Sequence, residues 1–184
     1  MIIEYLHSIR PLSPELEDHL SKILRFERYK KKEILLREGQ VSRNIYFIWK
    51  GLVRCYYMME DGQEVSARFM LEGHTVAPII SFFLQVESYE SLIALEDCEL
   101  YAMSFQDFED TRERFVEFNY HAFELIKQNY LESEERLLMI RRRKAEERYA
   151  ILVDRWPQLL ARVPKRLIAS YLDLAPSQMS RKTG

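Results

Sequence analysis

The chain has 184 residues, 47% of them hydrophobic and 30% charged, and a formal net charge of −2 at pH 7. That is apolar material for one large domain and one small one. Two cysteines, Cys55 and Cys98, argue against a disulfide framework, a Cys-rich zinc site or a four-cysteine iron–sulfur cluster, so no cofactor and no metal are expected. Residues Met1 to Leu12 carry acidic Glu4 and lack the basic flank of a signal peptide, and no apolar run reaches the length of a membrane span. The reading is of a soluble, cytoplasmic protein with no membrane partner.

The near-neutral total hides a division. Residues 136–184 hold 12 Lys+Arg against 4 Asp+Glu, whereas residues 1–135 hold 15 against 25. A basic end of +8 on an acidic body of −10 is the asymmetry of an acidic domain fused to a nucleic-acid-binding one, although a solvated basic helix face gives the same count.

From about Arg25 to Met103 the chain reads as short β-strands: Asn44 to Trp49, Leu52 to Tyr57, Glu64 to Phe69, Ser91 to Ala94 and Glu99 to Met103, all rich in β-branched and aromatic residues. Glycines at 39, 51, 62 and 73 fall between such runs at nearly even spacing, which predicts a β-roll or jelly roll. Asp61-Gly62 is the clearest hairpin turn, because the pair tolerates positive φ. After Ser104, a good N-cap, the period becomes helical and stays so.

Between Arg114 and Arg143 there is neither Gly nor Pro, and two apolar stripes run at helical spacing. Phe115, Phe118, Ala122 and Leu125 form one. Val116, Asn119, Phe123, Ile126, Tyr130, Ser133, Leu137 and Ile140 form the other, in the three- and four-residue steps of a coiled-coil seam. A helix with two apolar faces needs two partners: the chain's own roll and the same helix of a twofold-related subunit, or two faces of one monomer. Arg141-Arg-Arg-Lys144 interrupts the pattern as a hinge. A helix then carries Ala145, Tyr149, Leu152, Val153 and Trp156 until Pro157 closes it; another runs from about Lys165 to Leu172. After a break at Asp173-Leu-Ala175, Pro176 opens a last helix. Two short helices around a three-residue break make a helix-turn-helix.

In this order the motifs resemble the Crp/Fnr transcription regulators, especially the shorter branch common in Bacteroidetes-like bacteria. Tyr29 to Gly39 and Tyr46 to Arg54 are similar to the first glycine-punctuated hairpins of a cyclic-nucleotide-binding-type roll, Ala94-Leu-Glu-Asp97 with Glu99 to Met103 to its closing strands, and Ala145-Glu-Glu-Arg-Tyr149 and Val163 to Leu172 to the DNA-binding end. The resemblance implies an α+β chain: N-terminal helices and β-roll at 1–111, a dimerisation helix at 112–142, and a winged-helix-like helix-turn-helix lacking its wing at 143–184. It implies a homodimer on double-stranded DNA, controlled by a small-molecule effector, with RNA polymerase as a further candidate partner. Lys165 and Arg166 would hold phosphates, and Ser177, Gln178, Ser180 and Arg181 would face the major groove.

The effector position departs from the family pattern. Where cyclic-nucleotide binders have a Gly-Glu pair this chain has Ala77-Pro78, and where they have Arg-Ser it has Ser88-Tyr89 between Glu87 and Glu90. Without that arginine, cAMP and cGMP are not expected as ligands. Ala77, Pro78, Phe82, Phe83, Ser88 and Tyr89 are the candidate pocket residues, for a less polar effector or for a pocket filled by its own side chains. His74, after Gly73, reads as exposed. Two other functions compete with this reading. A cupin-like jelly-roll enzyme would need closely spaced histidines, and the four here are scattered. A dimeric effector-binding or interaction protein with a degenerate DNA-binding end would suit the short C-terminal helix and the loss of an N-cap at Ala175. No catalytic residues are expected.

Overall fold

The computed structural model describes residues 2–174. Helices α1 (Ile2–Ile9) and α2 (Pro14–Ile23) open the chain. The second starts at Ser13, whose Oγ accepts a bond from the Leu16 N–H at 3.2 Å, with Pro14 supplying the fixed φ of a first turn. Strands β1 (Arg25–Tyr29), β2 (Ile34–Leu36), β3 (Asn44–Lys50), β4 (Val53–Met58), β5 (Glu64–Met70) and β6 (Thr75–Val76) follow. Then come helix α3 (Ile79–Leu84) and strands β7 (Ser91–Ala94) and β8 (Cys98–Ser104).

The strands make two four-stranded antiparallel sheets, in the orders β1-β8-β3-β6 and β2-β7-β4-β5. The β-roll expected from the evenly spaced glycines is therefore present, and Gly39, Gly51, Gly62 and Gly73 all have positive φ. Gly51 is the most constrained of them: at φ +106°, an added Cβ would lie 2.5 Å from Cys98 Sγ and 2.9 Å from the Asp97 carbonyl oxygen. The β3–β4 turn can lie against the start of β8 only without a side chain there.

Ser104 caps α4 (Phe105–Arg114), accepting from the Asp107 N–H at 3.1 Å. Phe115 then turns extended, so the long helix α5 begins at Val116 and ends at Arg142, four residues later than the 112 read from the sequence. The break at the basic run falls at Arg143, also extended. Helices α6 (Ala145–Arg155), α7 (Pro157–Arg162) and α8 (Lys165–Tyr171) complete the described chain. Pro157 does more than end a helix: it stands at the first position of α7, where its missing N–H costs nothing. After α8, Asp173 adopts φ +53°, as an Asp in a helix-ending turn can. The helix expected from Pro176 lies outside the described residues.

Three cores hold this arrangement. One lies between the sheets, around Ile48, Val53, Cys55, Leu92 and Leu100. A second packs α1, α2, α4 and the first turns of α5 on β3 and β8, around Leu16, Leu20, Phe47, Phe82, Phe108 and Phe118. The third joins Leu52, Phe69 and Leu71 of the roll to Met139, Leu152, Leu159, Ile168 and Leu172 of the C-terminal helices. Among the described residues no helix is long and apolar enough to cross a membrane.

Candidate effector cavity and nucleic-acid interface

An open cavity of about 620 Å³ lies between β5, the start of α3, the Ser88–Glu90 loop and α5, a size common for small-molecule sites. Pro78, Ser88 and Tyr89 line it, with Tyr89 three-quarters exposed at its mouth. Ala77 and Phe82 do not face it. Both are buried in the second core, where Phe82 meets Phe83, Phe105 and Phe108 edge-on at 5.3–5.7 Å, and Phe83 packs beside it. The apolar Ile79–Leu84 segment is a short helix, so its residues divide between core and cavity instead of all facing one way.

Ser88 is committed to its own loop. Its Oγ donates to the Glu90 carbonyl at 2.7 Å and accepts from the Glu90 N–H at 3.1 Å. The cations come from elsewhere in the chain: Arg68 on β5 and Arg136 on α5 both line the cavity. Arg68 donates to Glu90 Oε1 at 2.6 Å. Arg136 has no ion pair among the described residues; its Nη2 donates to the Tyr171 carbonyl at 2.8 Å and more weakly to the Ser66 carbonyl at 3.3 Å, and its guanidinium lies 4.6 Å over the Tyr171 ring. Burial lowers the Arg136 pKa from its usual value and raises that of the Tyr171 phenol. Neither arginine was singled out from the sequence. Arg68 is one residue of an ordinary alternating strand, and Arg136 is one of many charges on α5. Only the fold brings them to one cavity.

His74 is half-buried rather than exposed. Its Nε2 lies 3.0 Å from Glu132 on α5 and 3.3 Å from the Gln128 amide, so the β5–β6 turn is tied to the long helix. Burial presses its pKa down, but the Glu132 carboxylate outweighs this and the net direction is up. Cys55 and Cys98 are both buried thiols; burial pushes Cys55 up to about 12 and raises Cys98 as well.

Along α5 the two stripes separate. Phe118 is buried, and Phe115, Ala122 and Leu125 pack against the second core. In the other stripe Val116, Asn119, Phe123, Tyr130, Ser133 and Leu137 are exposed, while Ile126 and Ile140 are partly covered. Val116, Phe123 and Tyr130 expose 81%, 60% and 61% of their surface, an extent that marks an apolar face left largely open by the described residues, with the Lys127 ammonium 5.4 Å over the Phe123 ring. The Asn119 amide bonds back to the Arg112 and Val116 carbonyls.

At the C-terminal end, Lys165 and Arg166 are exposed in the first turn of α8. Arg148 donates to the Leu172 and Asp173 carbonyls at 2.9 and 3.0 Å, closing the end of that helix. Arg162 reaches back to the roll, with Nε at 2.7 Å from Glu96 and Nη1 and Nη2 at 2.9 and 2.8 Å from Glu72. Of the other candidate DNA contacts, Ser177, Gln178, Ser180 and Arg181 lie outside the described residues.

Residues 26–115 match the cyclic nucleotide-binding domain family. Over 154 residues the chain is 23% identical to the transcriptional activatory protein AadR of Rhodopseudomonas palustris, covering 83% of this chain and 62% of that one. The chain is a relative of the Crp/Fnr-type regulators. Among solved structures, FixK2 from Bradyrhizobium japonicum superposes with a TM-score of 0.72 at 21% identity, covering 86% of this chain and 82% of that one. The c-di-GMP responsive regulator CLP of Xanthomonas campestris gives 0.70 at 13%, with 92% and 89% covered. These likenesses establish the Crp/Fnr fold, including the long helix and the helices after it. The chain spans between 50% and 62% of the length of the curated relatives it matches. Those relatives are regulators rather than enzymes.

Proposed function

We propose that this protein is a DNA-binding transcription regulator of the Crp/Fnr type: a cytoplasmic, non-enzymatic homodimer whose affinity for DNA responds to an effector in the cavity beside α5. One observation carries the reading. The inner stripe of α5 is buried on its own roll while the outer stripe is exposed over most of its length, and the same helix leads into a basic helical unit presenting Lys165 and Arg166. Pairing the exposed stripes of two copies, at Val116, Asn119, Phe123, Ile126, Tyr130, Ser133, Leu137 and Ile140, would set two such units a fixed distance apart, matched to half-sites about one duplex turn, ~34 Å, from each other.

In this reading residues 1–111 sense, 112–142 dimerise and 143–184 contact DNA. Lys165 and Arg166 take phosphates, and Ser177, Gln178, Ser180 and Arg181 read bases. The effector is not cAMP or cGMP: the Gly-Glu pair is replaced by Ala77-Pro78, and Arg68 in the cavity is already paired with Glu90. RNA polymerase would be the partner through which bound protein alters transcription.

The test is fluorescence anisotropy of the purified protein on duplex from upstream of its own gene and on a scrambled duplex, at several salt concentrations. Preference for one duplex, with affinity falling steeply as salt rises, supports the reading. Equal and weak binding to both would favour an interaction protein whose DNA-binding end no longer reads sequence.

A further inference from the structure

Arg136 stands where three parts of the molecule meet. From α5 it lines the large cavity, and it also lines a smaller void of about 30 Å³ whose walls include Arg68 and Tyr171. Its Nη2 joins the Ser66 carbonyl of β5 to the Tyr171 carbonyl at the end of α8. Strand β5 is the outer strand of its sheet, and α8 lies along it: the Ser66 N–H donates to Ser170 Oγ at 2.9 Å, and Tyr171 packs on Phe69 at 5.2 Å between ring centroids.

The arginine is under-served in this position. Its Nε is buried without a hydrogen-bond partner, and no carboxylate among the described residues pairs with it. Carbonyl oxygens and a ring face offer a guanidinium no opposite formal charge, whereas a carboxylate adds Coulombic attraction and can accept two N–H groups of the fork at once. Of the other cavity charges, Arg68 is paired with Glu90 at 2.6 Å, and Glu38, which is exposed, accepts the Met58 N–H at 3.3 Å. Among the described residues Arg136 is thus the half-buried cavity cation without an ion pair, and Tyr57, Met58, Ile79 and Ile80 make much of the remaining wall apolar.

We infer that the cavity takes a small organic acid with a single carboxylate and an apolar body, and that Arg136 is the latch that couples it to α8. The carboxylate draws the guanidinium into the cavity and off the Tyr171 carbonyl and ring. Helix α8, which carries Lys165 and Arg166, then keeps on β5 the hydrogen bonds of Ser170 Oγ, from the Ser66 N–H at 2.9 Å and to the Glu64 carbonyl at 3.5 Å, with its apolar contacts, and loosens. This rests on the reading of the cavity as an effector site, and it adds the ligand class and the path by which occupancy reaches the basic helix.

The experiment uses the full chain with octanoate as probe and octanamide as its neutral isostere, reading affinity by calorimetry and backbone motion by hydrogen–deuterium exchange. Octanoate should bind at least about tenfold more tightly than octanamide and should raise exchange in residues 64–68 and 165–174 several-fold. In Arg136→Gln that exchange should already be fast without ligand, and octanoate affinity should fall at least about tenfold. Arg136→Lys, which keeps a point charge but not the fork, guards against a Gln variant that fails to fold: it should retain octanoate within about tenfold while exchange at 165–174 stays fast. Equal binding of octanoate and octanamide, no binding of either, or unchanged exchange at 165–174 on octanoate addition or on replacing Arg136 would overturn the inference. These readouts involve no DNA, so a failed DNA experiment beside a positive octanoate response would sink the regulator reading alone.

Discussion

Replacing Phe123 by Glu separates the two faces of α5 most sharply. A phenylalanine side chain presents about 200 Å², and Phe123 leaves 60% of its surface uncovered in the protomer. If the partner helix covers that remainder, ~120 Å² at ~25 cal/mol per Å² amounts to about 3 kcal/mol per protomer. A twofold interface uses each position twice, so the dimer would lose up to about 6 kcal/mol, and two carboxylates placed near the axis would repel in addition. The dissociation constant should rise between about a hundredfold and ten-thousandfold. Sedimentation equilibrium across a wide concentration range reads this directly, with circular dichroism to check that helix content and melting are retained. A Phe123→Glu protein that dimerises as tightly as the parent would refute the assignment of this stripe to the interface. A variant that loses its fold would refute the premise that Phe123 faces away from its own core.

Three further outcomes follow from the same geometry. Gly51→Ala should destabilise the roll by about 2–5 kcal/mol, combining the left-handed backbone cost with a forced Cβ contact on Cys98 and Asp97, and urea denaturation should show it as a lower midpoint at unchanged slope. The double variant Lys165→Ala/Arg166→Ala should weaken binding to specific and scrambled duplexes alike and reduce the slope of log affinity against log salt by about two; an unchanged slope would remove both residues from the phosphate contacts. Glu72 is held down to about 2, chiefly by its hydrogen bonds from Arg162. A depressed carboxylate stabilises the folded state fully above its usual pKa of 4.5 and loses that contribution as pH falls from there toward about 2. The Glu72 side chain is 40% exposed, so the contribution is about 1 kcal/mol rather than the full shift. Arg162→Met should be less stable than the parent at pH 7, and the difference should shrink as pH is lowered through 4 toward 2.

The strands that sequence alone made visible are β3, β4, β5, β7 and β8, which are long or alternating enough to carry their own period. β2 and β6 have three and two residues and exist because a neighbour supplies hydrogen bonds, which no local pattern reports. The helix break at Phe115 was likewise silent, since an aromatic residue inside an apolar stripe looks like continued helix. Of the candidate pocket residues, Pro78, Ser88 and Tyr89 line the cavity, whereas Ala77, Phe82 and Phe83 pack in the second core, because the apolar run after Pro78 is a short helix whose facing is set by docking and not by distance from a glycine.

Composition, period and glycine spacing by themselves determined that this chain builds a β-roll, a two-faced long helix and a basic helical end, because those properties are local and additive along the chain. Tertiary structure alone decided which charges meet. Arg68 and Arg136 are 68 residues apart in the chain yet share a cavity, and Arg162 crosses from α7 to Glu72 and Glu96 on the roll. Such pairings depend on the register of strands and the docking of helices over long loops, and the electrostatic energy that fixes them exists only once water has been removed from between them.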